Sequence, residues 1–458
     1  MKRFIFINYI TFVFLVFFSC NSPQESKYLE FAEKTANWIT STAIETGNGL
    51  FWPSQPDTMR RGEISMYHGV PGGILFFLEL YKVTKKDIYR VQAEKAAEWL
   101  INRAYEDKGG FYWGDYSRGG NTVPDPGLYT GTAGVGTVFL ELYKHLGNNK
   151  YQRYAVGAAN WLVESKNDVD SGSAWGQVTD IISGAAGTGF FLIRAWEELK
   201  DEKYILTAGE VGDFLINEAI EDSPGVKWSA FPNSSRIYPN FSHGTSGIAC
   251  YLALLYEKTG EEKYLQASLA GAEWLENHEP DHSEEGHAWY HHEPDGIDLY
   301  YAGWCHGPAG TARLFYQLFK VTGDKKWMNS LKGSANWLMN CGIPEKKIDG
   351  FWNVSVCCGN AGIADFFADM YKLTGDNVYR DWALKMIENL INKADVGNNG
   401  IKWVQAENRT RPQEVYAQTG YSQGAAGIGL VLLKTDAFIL NNKPFSVFVM
   451  PDNPFKFE

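Results

Sequence analysis

Three cysteines in the second half of the chain are the residues best suited to metal chemistry. Cys305 lies between a tryptophan and His306, and the adjacent Cys357 and Cys358 are followed by a glycine. Soft sulfur donors suit Zn2+, and three thiolates with an open fourth position form the donor set of a catalytic zinc site. The sequence therefore predicts a zinc ion bound by Cys305, Cys357 and Cys358, with His306 as an alternative ligand.

The competing interpretation is that these cysteines are buried core residues or form disulfides. An oxidising compartment favours disulfides, and a bridge between the adjacent Cys357 and Cys358 is conceivable. Zinc is preferred because the three cysteines occupy equivalent positions of an internal repeat. Cys250 and Cys341 fall within or at the end of helical stretches, where we expect core residues.

The repeat is marked by the motif GxxG, which opens an apolar, helix-like stretch seven times. Successive motifs are 52 to 65 residues apart, and their first glycines are Gly69, Gly131, Gly184, Gly244, Gly307, Gly359 and Gly424. The residue just before the first glycine, which we call the rim position, is His68, Thr130, Ser183, His243, His306, Cys358 and Gln423 in the seven repeats. A rim residue precedes a helix, and a helix N-terminus favours a thiolate over a thiol.

A second motif alternates with the first and predicts a second set of helices. An aromatic residue is followed ten positions later by another in an amphipathic, alanine-rich segment, as in Tyr28 and Trp38 or Tyr264 and Trp274. The spacing of the apolar residues there is helical. Between a GxxG helix and the next aromatic helix, a glycine suits the left-handed C-cap that ends a helix, at Gly260, Gly323 and Gly375. Each pair is therefore predicted to form a tight helical hairpin.

Seven such hairpins predict an all-α chain that closes as an (α/α)7 toroid, with the GxxG helices inside and the aromatic helices outside. Short aromatic segments in the loops before the motifs are expected to form short strands at one end of the barrel, at residues 110–114, 226–229 and 350–353. A functional site would lie at that end. The predicted divisions are a signal peptide at 1–19, a tether at 20–26, the toroid at 27–446 and a C-terminal tail at 447–458.

Composition excludes a disordered chain and argues against a nucleic-acid partner. Apolar residues make up 45% and charged residues 21% of the 458 positions, which is enough to bury a large core. The net charge is −12, and no cluster of lysine and arginine is present that could track a phosphate backbone.

The N-terminus has the pattern of an export signal. Two basic residues precede an apolar run from Phe4 to Phe18, which ends just before Ser19 and Cys20. The run is too short for a transmembrane helix. A cysteine directly after the small residue resembles a bacterial lipobox, which predicts a lipid anchor on Cys20 and a place on the periplasmic or cell-surface face of a bacterial membrane. The alternative is a simple membrane anchor.

The repeats and cysteine motifs together resemble the lanthionine synthetase C-like family, which comprises zinc cyclases with a sevenfold α/α toroid. The family's WCxG, which supplies the first zinc cysteine, matches the segment around Cys305. Its CHG matches Cys357-Cys358-Gly359 with cysteine in place of the histidine, as in the three-cysteine variant of some bifunctional relatives. The resemblance covers the whole chain after the signal and implies zinc as the cofactor.

The resemblance also implies two catalytic residues. The family's catalytic histidine lies in HGxxG, which His243 and the following glycines match, and its catalytic aspartate precedes the third-repeat glycines, as Asp180 does. A histidine can act as acid or base near neutral pH. The alternatives are that His243 is only a hydrogen-bonded cap residue, like His68, and that Asp180 is only a helix N-cap.

The implied reaction is the addition of a substrate thiol to the β-carbon of a dehydroalanine or dehydrobutyrine in a peptide. Zinc would activate the thiol, Asp180 would help deprotonation or orientation, and His243 would protonate the enolate. The candidate substrate-binding residues are Tyr301, Trp304 and His306. Tyr301 stands where a relative has a basic residue, and export would separate the chain from peptides dehydrated inside the cell. Another thiol-containing peptide or a small thiol is therefore an alternative substrate.

Two other functions stay open from the sequence. An exported carbohydrate-active toroid of the six-hairpin glycosidase kind would need two carboxylates across the cavity, for which Asp180, Asp295 and Asp298 are candidates. A non-catalytic zinc-bearing surface protein would only bind peptides.

Histidines and tryptophans in the loops carry weaker signals. One acidic loop lacks the spacing of a metal motif, and we expect its histidines to be solvated: His278, His282, His287, His291 and His292. The loop tryptophans could either line the pocket or anchor their loops: Trp113, Trp175, Trp228, Trp289, Trp304, Trp352 and Trp403.

Overall fold

Fourteen α-helices form most of the chain in the computed structural model, which describes residues 26–116, 122–169, 172–278, 286–347, 353–440 and 447–457. They are α1 (Lys27–Ser41), α2 (Val70–Thr84), α3 (Asp87–Ile101), α4 (Thr132–Leu146), α5 (Asn149–Ser165), α6 (Ala185–Leu199), α7 (Glu202–Asn217), α8 (Thr245–Thr259), α9 (Glu262–Asn277), α10 (Pro308–Thr322), α11 (Lys325–Asn340), α12 (Asn360–Thr374), α13 (Asn377–Asn392) and α14 (Ala425–Thr435), and a π-helix follows at Asp436–Leu440. The predicted all-α class is confirmed. The signal peptide and Cys20 lie outside the described residues.

The helices form two concentric layers. Each even-numbered helix begins at a GxxG motif, and the next odd-numbered helix packs against its outer side. The inner helices are buried on all sides, as α8 is from Thr245 to Leu255, whereas the outer helices bury one face. Neighbouring inner helices contact each other around a closed circle, in which α14 contacts both α12 and α2. Because α1 packs against α14 as the seventh hairpin, the predicted (α/α)7 toroid is confirmed.

Six inner helices end in a residue with a left-handed backbone. The φ angles of these C-caps lie between 58° and 73°, and each cap N–H donates to the carbonyl four residues earlier. The next outer helix begins two residues later. Lys85 and Lys200 take this conformation with a side chain, and glycine takes it at Gly147, Gly260, Gly323 and Gly375. The three predicted glycine caps are confirmed.

Short antiparallel strand pairs occupy the loops that lead from outer to inner helices. The pairs are β1 (Ile44–Thr46) with β2 (Gly49–Phe51), β3 (Tyr105–Asp107) with β4 (Gly110–Tyr112), β5 (Gly114–Tyr116) with β6 (Thr122–Pro124), β7 (Asn167–Val169) with β8 (Gly172–Ala174), β9 (Ile220–Glu221) with β10 (Val226–Lys227), β11 (Tyr290–His292) with β12 (Gly296–Tyr300), β13 (Asp395–Gly397) with β14 (Gly400–Lys402), and β15 (Val404–Ala406) with β16 (Val415–Ala417). Two predicted strand segments are present as β4 and β10, and most of the third, 350–352, lies outside the described residues.

Five of the loop tryptophans anchor their loops to the preceding outer helix. Each indole Nε1–H donates to the carbonyl of a leucine near the end of that helix, at 2.6 to 2.9 Å, in Trp113, Trp175, Trp228, Trp289 and Trp403. The leucine follows the second aromatic position of the outer helix in four of these repeats. The anchoring interpretation therefore holds for these residues, and Trp352 lies outside the described residues.

A closed circle of backbone hydrogen bonds, which we call the central ring, links the seven repeats just before the inner helices. Each N–H donates to a carbonyl of the next repeat at 2.9 to 3.1 Å, in the order Tyr67 to Tyr129, Tyr129 to Ile182, Ile181 to Ser242, Ser242 to Cys305, Cys305 to Cys357, Cys357 to Ser422 and Ser422 to Tyr67. Except at Ile181, the ring residues stand two positions before the first glycine of their motif. The ring thus holds all seven rim positions side by side.

Glycine is required where the loop folds back into the inner helix. A Cβ on the second glycine of the motif would lie 1.8 to 2.3 Å from the carbonyl oxygen six residues earlier in six repeats, at Gly134, Gly187, Gly247, Gly310, Gly362 and Gly427. No side chain fits such a contact. In this way GxxG allows the tight turn that delivers each rim residue to the ring.

Residues 447–457 enter the toroid at the end where the inner helices finish. Asp452 is fully buried and accepts a hydrogen bond from the hydroxyl of Tyr129 at 2.9 Å. The ring of Phe455 stacks on Tyr316 with its centroid 4.2 Å away. Within the described ranges, no helix combines the length and apolar character needed to span a bilayer.

Candidate functional site

A cavity of about 540 Å3 lies at the end of the toroid where the inner helices begin. Six of the seven rim residues line it, namely His68, Thr130, His243, His306, Cys358 and Gln423. Cys305 and Cys357 of the central ring also line it, as does Tyr301. The structure thus brings together the predicted ligands and most of the predicted site residues. Trp304 lies behind this wall, where it packs against Tyr129 and Phe241.

The three predicted zinc ligands form one buried group, which we call the thiol cluster. The Sγ atom of Cys358 lies 3.3 Å from the Sγ atoms of both Cys305 and Cys357. The three sulfur atoms lie within 4.8 Å of one another, and all three residues are free cysteines. A tetrahedral zinc site with sulfur bonds of about 2.3 Å separates its sulfur atoms by roughly 3.8 Å. The number, spacing and softness of these donors therefore fit Zn2+.

Other cysteines and histidines stand apart from this group. In the described part of the chain, no histidine lies close enough to join the thiol cluster as a metal ligand, which removes His306 as an alternative ligand. No disulfide joins the adjacent Cys357 and Cys358. Cys250 is buried in α8, and Cys341 is partly buried at the end of α11.

The three cysteines of the thiol cluster differ in the direction in which their pKa values are shifted. Burial raises the pKa of Cys305 and of Cys357 well above the usual value of a thiol. Hydrogen bonds from Cys305, Cys357 and Gln423 lower the pKa of Cys358 well below it. Of the three thiols, that of Cys358 therefore ionises most readily. Three thiolates in this space require a cation to balance their charge.

Two polar residues brace the thiol cluster from the neighbouring repeats. The hydroxyl of Tyr67 lies 3.0 Å from Sγ of Cys357, and Gln423 donates from Nε2 to that hydroxyl at 2.8 Å. Burial raises the pKa of Tyr67 well above its usual value, so the hydroxyl keeps its proton and can donate it to sulfur. Residues that hydrogen-bond to metal ligands in this way orient those ligands. Gln423 is recognisable in the sequence as a rim residue, whereas no motif in the sequence indicates that Tyr67 contacts a cysteine.

His243 and Asp180 form a hydrogen-bonded pair. The Nδ1 atom of His243 lies 2.5 Å from Oδ2 of Asp180, while Oδ1 accepts the backbone N–H groups of Ser183 and Gly184 at 2.9 and 2.8 Å. Asp180 is fully buried, whereas the side chain of His243 is 27% exposed on the cavity side. Gly184 is the N-cap of α6 and receives no side-chain cap, so Asp180 instead braces the turn before the helix and holds the imidazole, with Nε2 directed away from the carboxylate.

His291 of the histidine loop lines the cavity wall together with His306, so the expectation of a solvated residue is wrong for His291. His282 lies outside the described residues. The ring centroid of His291 lies 4.0 Å from that of His306, and its Nδ1 lies 2.8 Å from Nδ1 of His292. Burial lowers the pKa of His291 to about 3 and that of His306 well below its usual value. Both rings are therefore neutral at physiological pH. β11 brings His291 inward because Tyr290 pairs with Tyr300 just before the thiol-cluster segment.

A positive charge reaches the cavity from a loop of the seventh repeat. Arg409 interacts with the hydroxyl of Tyr301, whose pKa burial raises to about 12. Arg409 therefore places a positive charge beside Tyr301 from a different repeat. This contact joins two distant loops, and no spacing in the sequence indicates it.

The candidate carboxylates of a glycosidase do not form a pair across the cavity. Asp180 has both oxygens engaged, and Asp295 is an exposed residue paired with Arg236. Asp298 is exposed on β12. None of these three is among the residues that line the cavity.

Comparisons with known proteins agree with this architecture. A family model described as lanthionine synthetase C-like protein matches residues 60–446. The solved structure of nisin cyclase is 18% identical with a TM-score of 0.61, and the match covers 88% of this chain and 93% of that one. A sugar epimerase from a ruminal bacterium is 13% identical with a TM-score of 0.52, with 77% and 96% covered. At these identities the two structures show a shared fold.

Asp180→Ala should destabilise the protein by about 2–4 kcal/mol, because it leaves two backbone N–H groups of the turn before α6 and the ring of His243 without their acceptor. Asp180→Asn keeps an acceptor for the N–H groups and should cost about 1 kcal/mol. Urea unfolding measures both. Asp201→Ala is the matched control, since Asp201 caps α7 through one N–H and holds no histidine. Equal losses for Asp180→Ala and Asp201→Ala would contradict this account.

Proposed function

Because the chain belongs to the lanthionine synthetase C-like family, we propose that it is a zinc-dependent enzyme that joins a thiol to a dehydroamino acid through a thioether bond. The observation that carries this proposal is the buried thiol cluster in one cavity with the His243–Asp180 pair. Thiol activation and proton donation are the two tasks of such an addition. Each has a suitable group in this cavity.

The metal would be held by Cys305, Cys357 and Cys358. When bound there, Zn2+ would supply the positive charge that lowers the pKa of a substrate thiol toward neutrality. Tyr67 and Gln423 would keep the ligands oriented through their contacts with sulfur. A third thiolate in place of a histidine adds negative charge to the centre, which favours a nucleophilic substrate sulfur.

His243 would supply the proton that completes the addition. The substrate sulfur forms a bond with the β-carbon, and the π electrons of the dehydroamino acid move to its carbonyl to give an enolate. The α-carbon then takes a proton from the imidazolium of His243. Asp180 stabilises this imidazolium and fixes its ring, and is a positioning residue because both its oxygens are engaged inside the protein.

The proposed substrate is a peptide that carries a cysteine and a dehydroalanine or dehydrobutyrine, with a small thiol as the alternative nucleophile. The support is the similarity in fold to nisin cyclase, a cyclase by name, and a cavity of about 540 Å3 that accommodates a few residues. Tyr301 and His306 line the entrance to the thiol cluster and are the proposed substrate contacts. Trp304 would act indirectly, by packing behind Cys305.

Purified protein should contain close to one zinc per chain. Cys305→Ala and Cys357→Ala should lose most of it, because two remaining thiolates bind the ion weakly. Cys358→His should retain it, since imidazole is also a zinc ligand. Elemental analysis by mass spectrometry gives the content, with Cys250→Ala and Cys341→Ala as controls away from the cluster. Full metal content in Cys305→Ala would refute the assignment.

Zinc-loaded protein should convert a peptide with one dehydroalanine and one cysteine into the thioether, seen as loss of the alkylatable thiol. His243→Gln should slow this at least about 100-fold, the usual contribution of a general acid, and leave the zinc content unchanged. If wild type binds the peptide without forming the bond under conditions where nisin cyclase is active, the protein is a binder and the enzymatic proposal fails.

We also propose that the chain is exported and tethered to a bacterial membrane by a lipid on Cys20. The support is the basic and apolar N-terminal pattern that ends at Ser19. Expression in a bacterium should place the protein in the membrane fraction and label it with radioactive palmitate, whereas Cys20→Ser should abolish the label. Labelling that persists in Cys20→Ser would refute the anchor.

A further inference from the structure

The cavity holds a second imidazole–carboxylate pair that the reaction outlined above does not use. The Nε2 atom of His68 lies 2.8 Å from Oε1 of Glu407, and Oε2 of Glu407 accepts a hydrogen bond from Gln418 at 3.0 Å. Both His68 and Glu407 line the cavity, with side chains 30% and 36% exposed. Among the described residues, His68 contacts Glu407 by hydrogen bond and Tyr67 by an edge-on ring contact.

The two pairs lie on opposite flanks of the thiol cluster. His68 and His243 occupy the same rim position, in repeats one and four. Along the central ring, repeat four adjoins Cys305, whereas repeat one adjoins the seventh repeat, which in turn bonds to Cys357. The hydroxyl of Tyr67, next to His68 in the chain, reaches Sγ of Cys357 directly. One imidazole therefore stands on the Cys305 side and the other on the Cys357 side.

The addition needs two proton transfers at two different atoms. The substrate thiol loses a proton from sulfur, and the α-carbon gains one. A group that starts as the acid must be protonated, while the group that takes the thiol proton must start unprotonated. Asp180 cannot take the thiol proton, since it is buried with both oxygens engaged. The proposed function thus leaves the acceptor of this proton unassigned.

The other histidines of the cavity are poor acceptors. His291 and His306 are half-buried without a carboxylate in contact, and loss of solvation holds the pKa of each far below that of an ordinary imidazole. His68 differs because a carboxylate faces its ring. Contact with His68 lowers the pKa of Glu407 against the opposing effect of burial, so this carboxylate is ionised and can stabilise an imidazolium.

We propose that His68, held by Glu407, is a second catalytic residue that accepts the proton of the substrate thiol, while His243 donates the proton to the α-carbon. The inference rests on the proposed function. In the step, the S–H bond breaks, the proton moves to the free ring nitrogen of His68, and the sulfur electron pair forms the bond with the β-carbon. After the proton of His243 has passed to the α-carbon, exchange with solvent resets both imidazoles. Glu407 is the positioning residue of this second pair.

Counting protons on thiol binding tests this assignment without turnover. Calorimetry of N-acetylcysteine methylamide binding to the zinc-loaded full chain, in buffers of different ionisation enthalpy at about pH 7.5, gives the protons released. A thiol with an ordinary pKa of about 8.5 that binds as thiolate frees close to one proton. Wild type should release far less because His68 retains the proton, whereas His68→Gln should release close to one. His243→Gln should behave like wild type.

Two further variants sharpen the comparison. Glu407→Gln keeps a hydrogen-bond acceptor without the charge and should release an intermediate number of protons. His145→Gln is the matched control, because His145 contacts Glu141 at 3.3 Å in α4, away from the residues that line the cavity. Glutamine at position 68 is compatible with the fold, since Gln423 occupies the equivalent position in the seventh repeat.

Each outcome decides between the two claims. Thiol binding with equal proton release in wild type and His68→Gln overturns the role of His68 and leaves the proposed function standing. Absence of both thiol binding and thioether formation in wild type removes the proposed function and this inference with it. When thiol binds as expected, His68→Gln should slow thioether formation about 100-fold with an alkyl thiol. The loss should shrink with an acidic aromatic thiol, which needs no base.

Discussion

The central ring is the interaction on which the rest of the structure depends. Six of its seven backbone hydrogen bonds join residues about 60 positions apart, and the seventh closes the circle between Ser422 and Tyr67. All seven lie where a loop turns into an inner helix. Each ring residue fixes its successor, the rim residue, at the wall of one cavity. The backbone N–H of Cys305 donates to the carbonyl of Cys357 within the ring. This hydrogen bond brings two segments that are far apart in sequence close enough for their sulfur atoms to meet. The glycines of GxxG serve this ring, because any side chain on the second glycine would collide with the backbone of the turn.

The local environment gives the ionisable residues that the ring brings together different pKa values. Burial raises the pKa of Cys305 and of Cys357, whereas hydrogen bonds lower the pKa of Cys358. A divalent cation held by the three sulfur atoms would favour the thiolate form of each. The rings of His306 and His291 carry no charge, whereas His243 and His68 each face a carboxylate. The cavity wall also contains Glu63 and Asp125, and Arg409 lies beside Tyr301.

Periodic features of the chain could be predicted from the sequence, and features that join different repeats could not. The helices, the glycine caps and the equivalence of Cys305 with Cys357 all repeat, so each copy supports the others. Glu407 and Arg409 belong to a loop without counterparts, and their partners His68 and Tyr301 lie hundreds of residues away or in another repeat. Nothing local distinguishes such residues from solvated ones. The inward position of His291 could not be predicted for the same reason. The acidic composition of the loop indicates solvent exposure, and no local pattern indicates that β11 directs His291 into the cavity.

Residues 447–457, at the end of the toroid opposite the cavity, contact the central ring. Asp452 takes a hydrogen bond from Tyr129, a ring residue, and lies 3.8 Å from Arg313, whose guanidinium stacks near the rings of Phe241 and Trp304. These rings pack directly behind Cys305. A buried arginine needs a buried carboxylate to offset its charge, and residues 447–457 provide one by entering the toroid. The segment therefore closes the end of the toroid opposite the cavity and supports the wall on which Cys305 stands. It follows that the thiol cluster is held by contacts from both ends of the inner helices.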